Sequence, residues 1–365
     1  MIRASTSPRH AVKPAAMEQG LLTVDCAAIV RNWRKLRARH APGEVAAVVK
    51  ADAYGLGAVP VARALHAAGC AHFFVAHPSE GETIRDALGD APLIAVLDGF
   101  APGAHPRLTP VLNSLADVRA HAALGGAAIL HVDTGMARLG LDAAELEALA
   151  AAPSPLARLD LRYIMTHLAC ADEPDHPLNA AQRARFAAAC ARLPAAPRSL
   201  ANSSGIFLGA DFVSDLARSG CALYGINPTP GQPNPMERVV TLEVPVLQIR
   251  EIAAGETVGY GATWRAARPT RVATCAAGYA DGWLRALSGK GFAVARGRRA
   301  ALIGRVSMDL TTFDVTDVPG LAQGDAITLL GAEQDADAAA ALAGTIGYEM
   351  LTSLGSRYAR RHLPA

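Results

Sequence analysis

The sequence predicts an α/β chain: a (β/α)8 barrel of the TIM type followed by a mainly-β C-terminal domain. Three observations predict it. Short apolar runs alternate with helix-length segments up to about Gly225, as parallel strands with crossover helices require. Beyond a proline-rich connection from Asn227 to Pro235, the texture changes to short β-like runs separated by Gly and Pro turns. The 365 residues exceed one average domain and suit a barrel plus a smaller unit. Hydrophobic residues make up 51% and charged residues 19%, a balance that supports a large buried core and excludes disorder. Aromatics reach only 5%, and alanine runs such as Ala338 to Ala341 recur, so much of the apolar content is small side chains on helices.

Taken in order, residues 1–20 are polar, rich in Pro and Ala, and carry several basic groups without the apolar segment of a signal peptide. They are expected to form a flexible tail, with Met17 as an alternative start. Asp25 is suited to cap a helix reaching about His40, in which Ile29, Trp33 and Leu36 share one face. Val45–Lys50 reads as a strand, followed by a turn at Gly55–Gly57 and a helix from Val59 to Ala68 ended by Gly69. Further strands are expected at His72–Ala76, Leu93–Leu97, Val111–Asn113, Ala127–Val132, Leu161–Thr166, Ser199–Ala201, Val213–Ala217 and around Leu223. Helices are expected at Asp142–Ala151 and Ala180–Leu193. The barrel is thus expected over 21–235 and the β domain over 236–365. Strands of the latter are expected at Val240–Ile249, Arg271–Ala276, Phe292–Val294, Ala300–Ile303, Leu310–Val315 and Ala326–Leu330.

A net charge of +2 provides no field for steering nucleic acid or a membrane surface. No uncharged apolar stretch is long enough to span a bilayer. The six cysteines (Cys26, Cys70, Cys170, Cys190, Cys221 and Cys275) are scattered and form no CxxC pair, which fits reduced thiols in a cytoplasmic protein and calls for no metal.

The chemistry begins at Ala47–Gly57, where Lys50 ends an apolar strand before a glycine-rich turn. The C-terminal ends of barrel strands build the active site. An amine in a dry pocket loses its proton more readily and can form a Schiff base. A lysine snorkelling from a strand end would look the same in sequence. Asn202-Ser203-Ser204-Gly205 offers small hydroxyls and backbone N–H groups suited to a phosphate, with Ser203 the chosen ligand. Gly220 and Cys221 can present further backbone donors.

Lys50 with Ala51-Asp52-Ala53-Tyr54-Gly55 resembles the cofactor-lysine motif of the alanine racemase family, and the resemblance runs from about Leu22 to about Tyr358. It implies a fold-type III pyridoxal 5'-phosphate enzyme, an isomerase that interconverts L- and D-alanine through a cofactor Schiff base with two bases. Such an enzyme supplies D-alanine for peptidoglycan or serves alanine catabolism. By the same resemblance, Tyr54, Asn202 and Tyr348 join Lys50 and Ser203 in holding the cofactor, and His167 stacks near its ring. Arg218 faces the pyridine nitrogen. A permanently charged guanidinium there opposes ring protonation and limits transamination. Arg138, in His131–Gly140, contacts the substrate carboxylate, with the backbone N–H of Met308 as a second contact and Asp309 in support. Asp172, Tyr279, Arg285 and Arg305 line the way in. Tyr260, in Val258-Gly-Tyr-Gly-Ala-Thr-Trp264, is implied as the second base, donated by the other subunit of a homodimer with shared active sites. An ordinary tyrosine has a pKa of about 10, so that site must favour the anion.

Two positions depart from the family pattern. His131 stands where a lysine, carbamylated in some members, orients the arginine; a histidine can donate a hydrogen bond there or simply pack. Ser199 stands where a histidine neighbours Arg218. Three other readings compete. A broad-specificity amino-acid (serine) racemase of the same family would usually carry a signal peptide. A non-catalytic pyridoxal-phosphate-binding protein would resemble the barrel alone. A decarboxylase of the same fold type would lack Arg218 together with the Gly-Tyr-Gly motif.

Overall fold

The computed structural model describes residues 19–103 and 106–365. The tail expected at the N-terminus lies, through residue 18, outside the described residues. Eight parallel strands form one sheet: β2 (Glu44–Val48), β3 (His72–Val75), β4 (Leu93–Val96), β5 (Thr109–Leu112), β6 (Gly126–His131), β7 (Leu159–Met165), β8 (Arg198–Ser199) and β9 (Leu216–Ser219). The sheet runs in sequence order from β2 to β8, and β9 returns to pair with β2. A parallel bridge between Asn202 and Arg218, with Arg218 N donating to Ala201 O at 2.9 Å, closes the barrel between β8 and β9.

The apolar strands bury on both faces. Ala46, Phe74, Ala95, Val111, Ile129, Met165 and Leu216 fill one cluster of the barrel core, as parallel strands covered by helices demand. The covering helices include Cys26–His40, whose Asp25 cap accepts from Ala28 N at 2.8 Å. They continue with Ala58–Ala67, Pro78–Leu88, Leu115–Leu124, Ala143–Ala151 and Pro177–Cys190. Asp142 and Glu145 cap Ala143–Ala151 reciprocally. Among the described residues, the β4–β5 and β8–β9 connections contain no α-helix.

The strand expected around Leu223 is instead a short 3-10 helix, Cys221–Tyr224, because Gly220 and Gly225 bound a segment too short to cross the barrel. Arg218 lies inside β9 rather than after it.

The C-terminal region builds a second eight-stranded sheet around β10 (Val240–Ile252), which pairs with both β13 (Thr270–Cys275) and β17 (Ala326–Leu330). Between these lie the ribbon β11 (Thr257–Val258) and β12 (Trp264–Arg265), and then β14 (Phe292–Ala295), β15 (Arg298–Ile303) and β16 (Thr311–Asp314). The first strand of the chain, β1 (Leu21–Asp25), also belongs here: it sits between β10 and the last strand, β18 (Ala359–Leu363). That pairing departs from the expectation that the barrel begins at residue 21. Two further helices, Ala336–Ala343 and Gly347–Thr352, bring this region against the barrel mouth.

Candidate active site

A cavity of about 580 Å³ opens at the C-terminal ends of the barrel strands, bordered by Val48, Phe74, Leu97, His131, Met165 and Arg218. Ten residues expected from sequence also border it: Lys50, Tyr54, Arg138, His167, Asn202, Ser203, Arg218, Gly220, Cys221 and Tyr348. Tyr348 and Thr352 reach in from the short helix Gly347–Thr352 and tie the β domain to the barrel mouth.

Lys50 stands two residues beyond the end of β2 and opens an uncommon turn. Ala51, Asp52, Ala53 and Tyr54 have φ of 51°, 53°, 53° and 59°, so the segment winds left-handed. Such a conformation costs roughly 1–2 kcal/mol per non-glycine residue. Asp52 Oδ1 offsets part of this by accepting from Ala58 N at 2.6 Å. Arg360 donates to Gly55 O at 3.1 and 3.2 Å. Burial lowers the Lys50 pKa, and the Arg138 charge lowers it further, while Glu80 and Asp98 pull the other way.

Arg218 is 4% exposed, and both of its terminal nitrogens are engaged. Its Nη1 donates to Ser199 O at 2.9 Å and to Ser199 Oγ at 2.5 Å, and its Nη2 to Thr166 O at 2.5 Å. Ser199 Oγ in turn donates to Leu216 O at 2.8 Å. The serine at this departure therefore fixes one edge of the guanidinium. Burial pulls the Arg218 pKa down to about 10, which leaves it charged at neutral pH. Arg218 Nη2 also lies 3.3 Å from His167 Nδ1. A guanidinium only donates, so that nitrogen accepts and the His167 proton sits on Nε2.

His131 is likewise neutral: burial first, then the Arg218 charge, hold its pKa at about 4. Its Nδ1 lies 2.8 Å from Asn113 Oδ1, while Asn113 Nδ2 donates to Leu97 O at 2.8 Å. His131 therefore donates through Nδ1, the first of the two roles left open by its sequence. Arg138 makes no hydrogen bond or ion pair among the described residues and remains exposed at the cavity.

A third group forms around the β8–β9 loops. Ser203 Oγ accepts from Gly220 N at 3.0 Å and Ala222 N at 3.4 Å, and lies 3.2 Å from Ser219 Oγ. Its own proton is left for Ser219 or for the cavity. Ser204 and Cys221 are buried, yet their backbone amides find no acceptor among the described residues. A Cβ at Gly220 would come within 2.3 Å of the Tyr54 hydroxyl, so only glycine fits there. The Tyr348 hydroxyl hydrogen-bonds Cys221, and burial raises the pKa of both. Asn202 is turned to its own loop, its Oδ1 accepting from Gly205 N at 2.9 Å.

The remaining expected residues stand apart from this cavity. Tyr260 is 73% exposed and shares a separate depression with Arg305 on the β domain. Met308 is 54% and Tyr279 43% exposed. These two segments are joined, since Tyr279 N donates to Ser307 O at 3.0 Å and Ala280 N to Met308 O at 2.9 Å. Asp309 pairs with Arg357 at 2.8 Å, and Arg285 is exposed. Asp172 is exposed outside the lining, and only its charge reaches Tyr348. One copy of the chain thus holds two clusters that it does not bring together.

Some lining residues escaped the sequence reading, among them Asp98 and Thr352. Asp98 lies two residues beyond β4 and Asn113 directly follows β5, so the strand-end rule applied to Lys50 would have found both. Thr352 had no such signal, because its helix lies beyond the β strands in sequence.

Residues 24–228 match the family description "Alanine racemase, N-terminal domain" and residues 239–362 match "Alanine racemase, C-terminal domain". The alanine racemase of Acidiphilium cryptum is 56% identical over 357 residues, covering 94% of this chain and 99% of that one. A catabolic alanine racemase of Mesorhizobium japonicum is 49% identical over 356 residues, covering 94% of this chain and 93% of that one. Among solved structures, alanine racemase from Bartonella henselae with covalently bound pyridoxal phosphate superposes with a TM-score of 0.90 at 41% identity, covering 95% of this chain and 100% of that one.

Proposed function

The chain belongs to the alanine racemase family, and on that premise we propose that Lys50 and Tyr260, the latter supplied by a second copy of the chain, carry a proton between the two faces of the alanine Cα. The protein is a pyridoxal-phosphate-dependent racemase. The observation that carries the reading is one cavity in which an amine, a buried guanidinium and unpaired backbone amides converge.

These groups fit the cofactor. Lys50 would hold its aldehyde carbon. The amides of Ser204 and Cys221, with the hydroxyls of Ser203 and Tyr348, would receive its phosphate. Arg218 would meet its ring nitrogen, and His167 would border the ring. When bound, pyridoxal phosphate supplies a conjugated system that accepts the electrons left at Cα when a proton departs.

The chain's own residues do the rest. Burial and Arg138 favour the neutral amine of Lys50, as a proton acceptor requires. Arg218 stays charged while engaged with Ser199 and Thr166, so it would donate to the ring nitrogen rather than yield a proton to it. The free guanidinium of Arg138 offers its fork to the substrate carboxylate, with Met308 N–H and Asp309 contributed from the other subunit. We assign Lys50 to the proton of D-alanine and Tyr260 to that of L-alanine. A single base would return the proton to the face it left, so inversion needs a group on each side. The exposed Tyr260, Tyr279 and Met308 form the surface through which the homodimer would share its sites, with Asp172, Arg285 and Arg305 at the entrance.

Incubation with L-alanine in deuterated water tests this reading. The expected result is D-alanine carrying deuterium at Cα, with borohydride trapping the cofactor on Lys50. Absence of that adduct would overturn it.

A further inference from the structure

The left-handed turn after Lys50 leaves the first amide beyond the lysine, Ala51 N–H, without a backbone acceptor. Its partner is the side chain of Glu80: Oε1 accepts from Ala51 N at 2.7 Å. The other oxygen, Oε2, accepts from Ala76 N at 2.7 Å and His77 N at 3.2 Å. One carboxylate therefore ties the turn that follows β2 to the chain leaving β3. We propose that Glu80 is a positioning residue for Lys50, holding the left-handed turn that aims the amine into the cavity. The inference rests on the proposed reading of Lys50 as the cofactor-bearing lysine.

The turn needs such a tie. Of Ala51, Asp52, Ala53 and Tyr54, only Asp52 has a short polar side chain of the kind that stabilises left-handed backbone locally. The bonds Ala53 N to Val49 O and Gly57 N to Asp52 O, each 2.9 Å, close the turn from within, and Val49 N to Phe74 O at 2.8 Å joins its start to β3, but none of them holds Ala51 N–H. Glu80 does, because it is the third residue of the helix Pro78–Leu88, whose start is itself anchored at the end of β3. A charged acceptor makes these bonds stronger than a neutral one would.

A second glutamate supplies an internal control. Glu145 occupies the same position in the helix Ala143–Ala151. It accepts from Asp142 N at 3.4 Å and reaches to Leu115 N at 2.9 Å. It thus performs the same capping and bridging at a place that does not border the cavity.

Glu80→Gln is the informative change. An amide has one oxygen, so its NH2 must face either Ala51 N–H or Ala76 N–H, donor against donor. The full-length protein stripped of cofactor is mixed with pyridoxal 5'-phosphate. Capture is followed by the absorbance of the lysine-bound form and by borohydride trapping on Lys50. Melting temperature, kcat and the KM for alanine are measured alongside. Glu80→Gln and Glu80→Ala are expected to slow capture roughly tenfold and to lower kcat with little change in KM. Glu145→Ala is expected to lower the melting temperature comparably while capturing at the wild-type rate. Wild-type capture by Glu80→Gln, or equal slowing by Glu145→Ala, would overturn the proposal; Glu80→Gln decides it if Glu80→Ala does not fold. A wild-type chain that fails to trap cofactor on Lys50 would overturn the functional reading and this inference with it. Normal wild-type trapping with unaffected Glu80 variants overturns only the inference.

Discussion

The barrel cavity and the β-domain surface around Tyr260 contain comparable chemistry under opposite conditions. In the cavity, Arg218 is buried and both of its terminal nitrogens have acceptors, so its geometry is set before any ligand arrives. On the β domain, Tyr260 is 73% exposed in a shallow depression beside Arg305 and Leu310. The contrast teaches that the barrel cavity is finished by folding, whereas the role proposed for Tyr260 requires another surface.

Predictions can break or sharpen this contrast. Lys50→Ala should abolish racemisation, by at least about a thousandfold, and remove the borohydride adduct from that position. Tyr260→Phe should lower racemisation by roughly a hundredfold or more while leaving the adduct intact, because it touches only the exposed half. Mixing the two inactive variants should then restore up to about one quarter of wild-type activity after subunit exchange. No recovery despite exchange, monitored by a mass-tagged copy, would break the contrast outright.

Arg218→Glu should destabilise the fold by about 3–5 kcal/mol, since a carboxylate would face the carbonyls of Thr166 and Ser199. In the protein that remains folded, keto-acid formation from alanine should rise relative to racemisation. A pH effect should also belong to the barrel half. The unfolded His131 takes up a proton near 6.5, but the folded one only near 4. Its contribution to stability is therefore complete above 6.5 and lost as pH falls toward 4, on the order of 3 kcal/mol. His131→Gln should flatten that acid limb in melting temperature measured against pH. The smallest effect is expected on the exposed half, where Asp309→Asn should cost less than about 1 kcal/mol, because its pair with Arg357 is solvated.

The same division explains what the sequence made legible. Barrel strands such as His72–Val75 and Leu93–Val96 were readable because apolar runs buried on both faces leave a local signature. Lys50, Ser203 and Arg218 were readable from their places beside strands and from family motifs. The segment around Leu223 misled, because four apolar residues fit a buried 3-10 turn as well as a strand. The left-handed turn at Ala51–Tyr54 was not legible, since three of its four residues do not favour that backbone and the tie comes from Glu80, far along the chain. The orientation of His131 depends on Asn113, which a single sequence does not link to it.

The placement of Leu21–Asp25 between Val240–Ile252 and Ala359–Leu363 has a consequence for biosynthesis. A ribosome makes this strand well before its two neighbours. Until Val240–Ile252 emerges both of its edges stay unmatched, and the edge that Ala359–Leu363 covers stays open until release, while the helix just after it can already dock on the growing cylinder. Stalled or prematurely terminated products would therefore display a sticky edge at Leu21–Asp25, a natural handle for a chaperone that recognises extended segments.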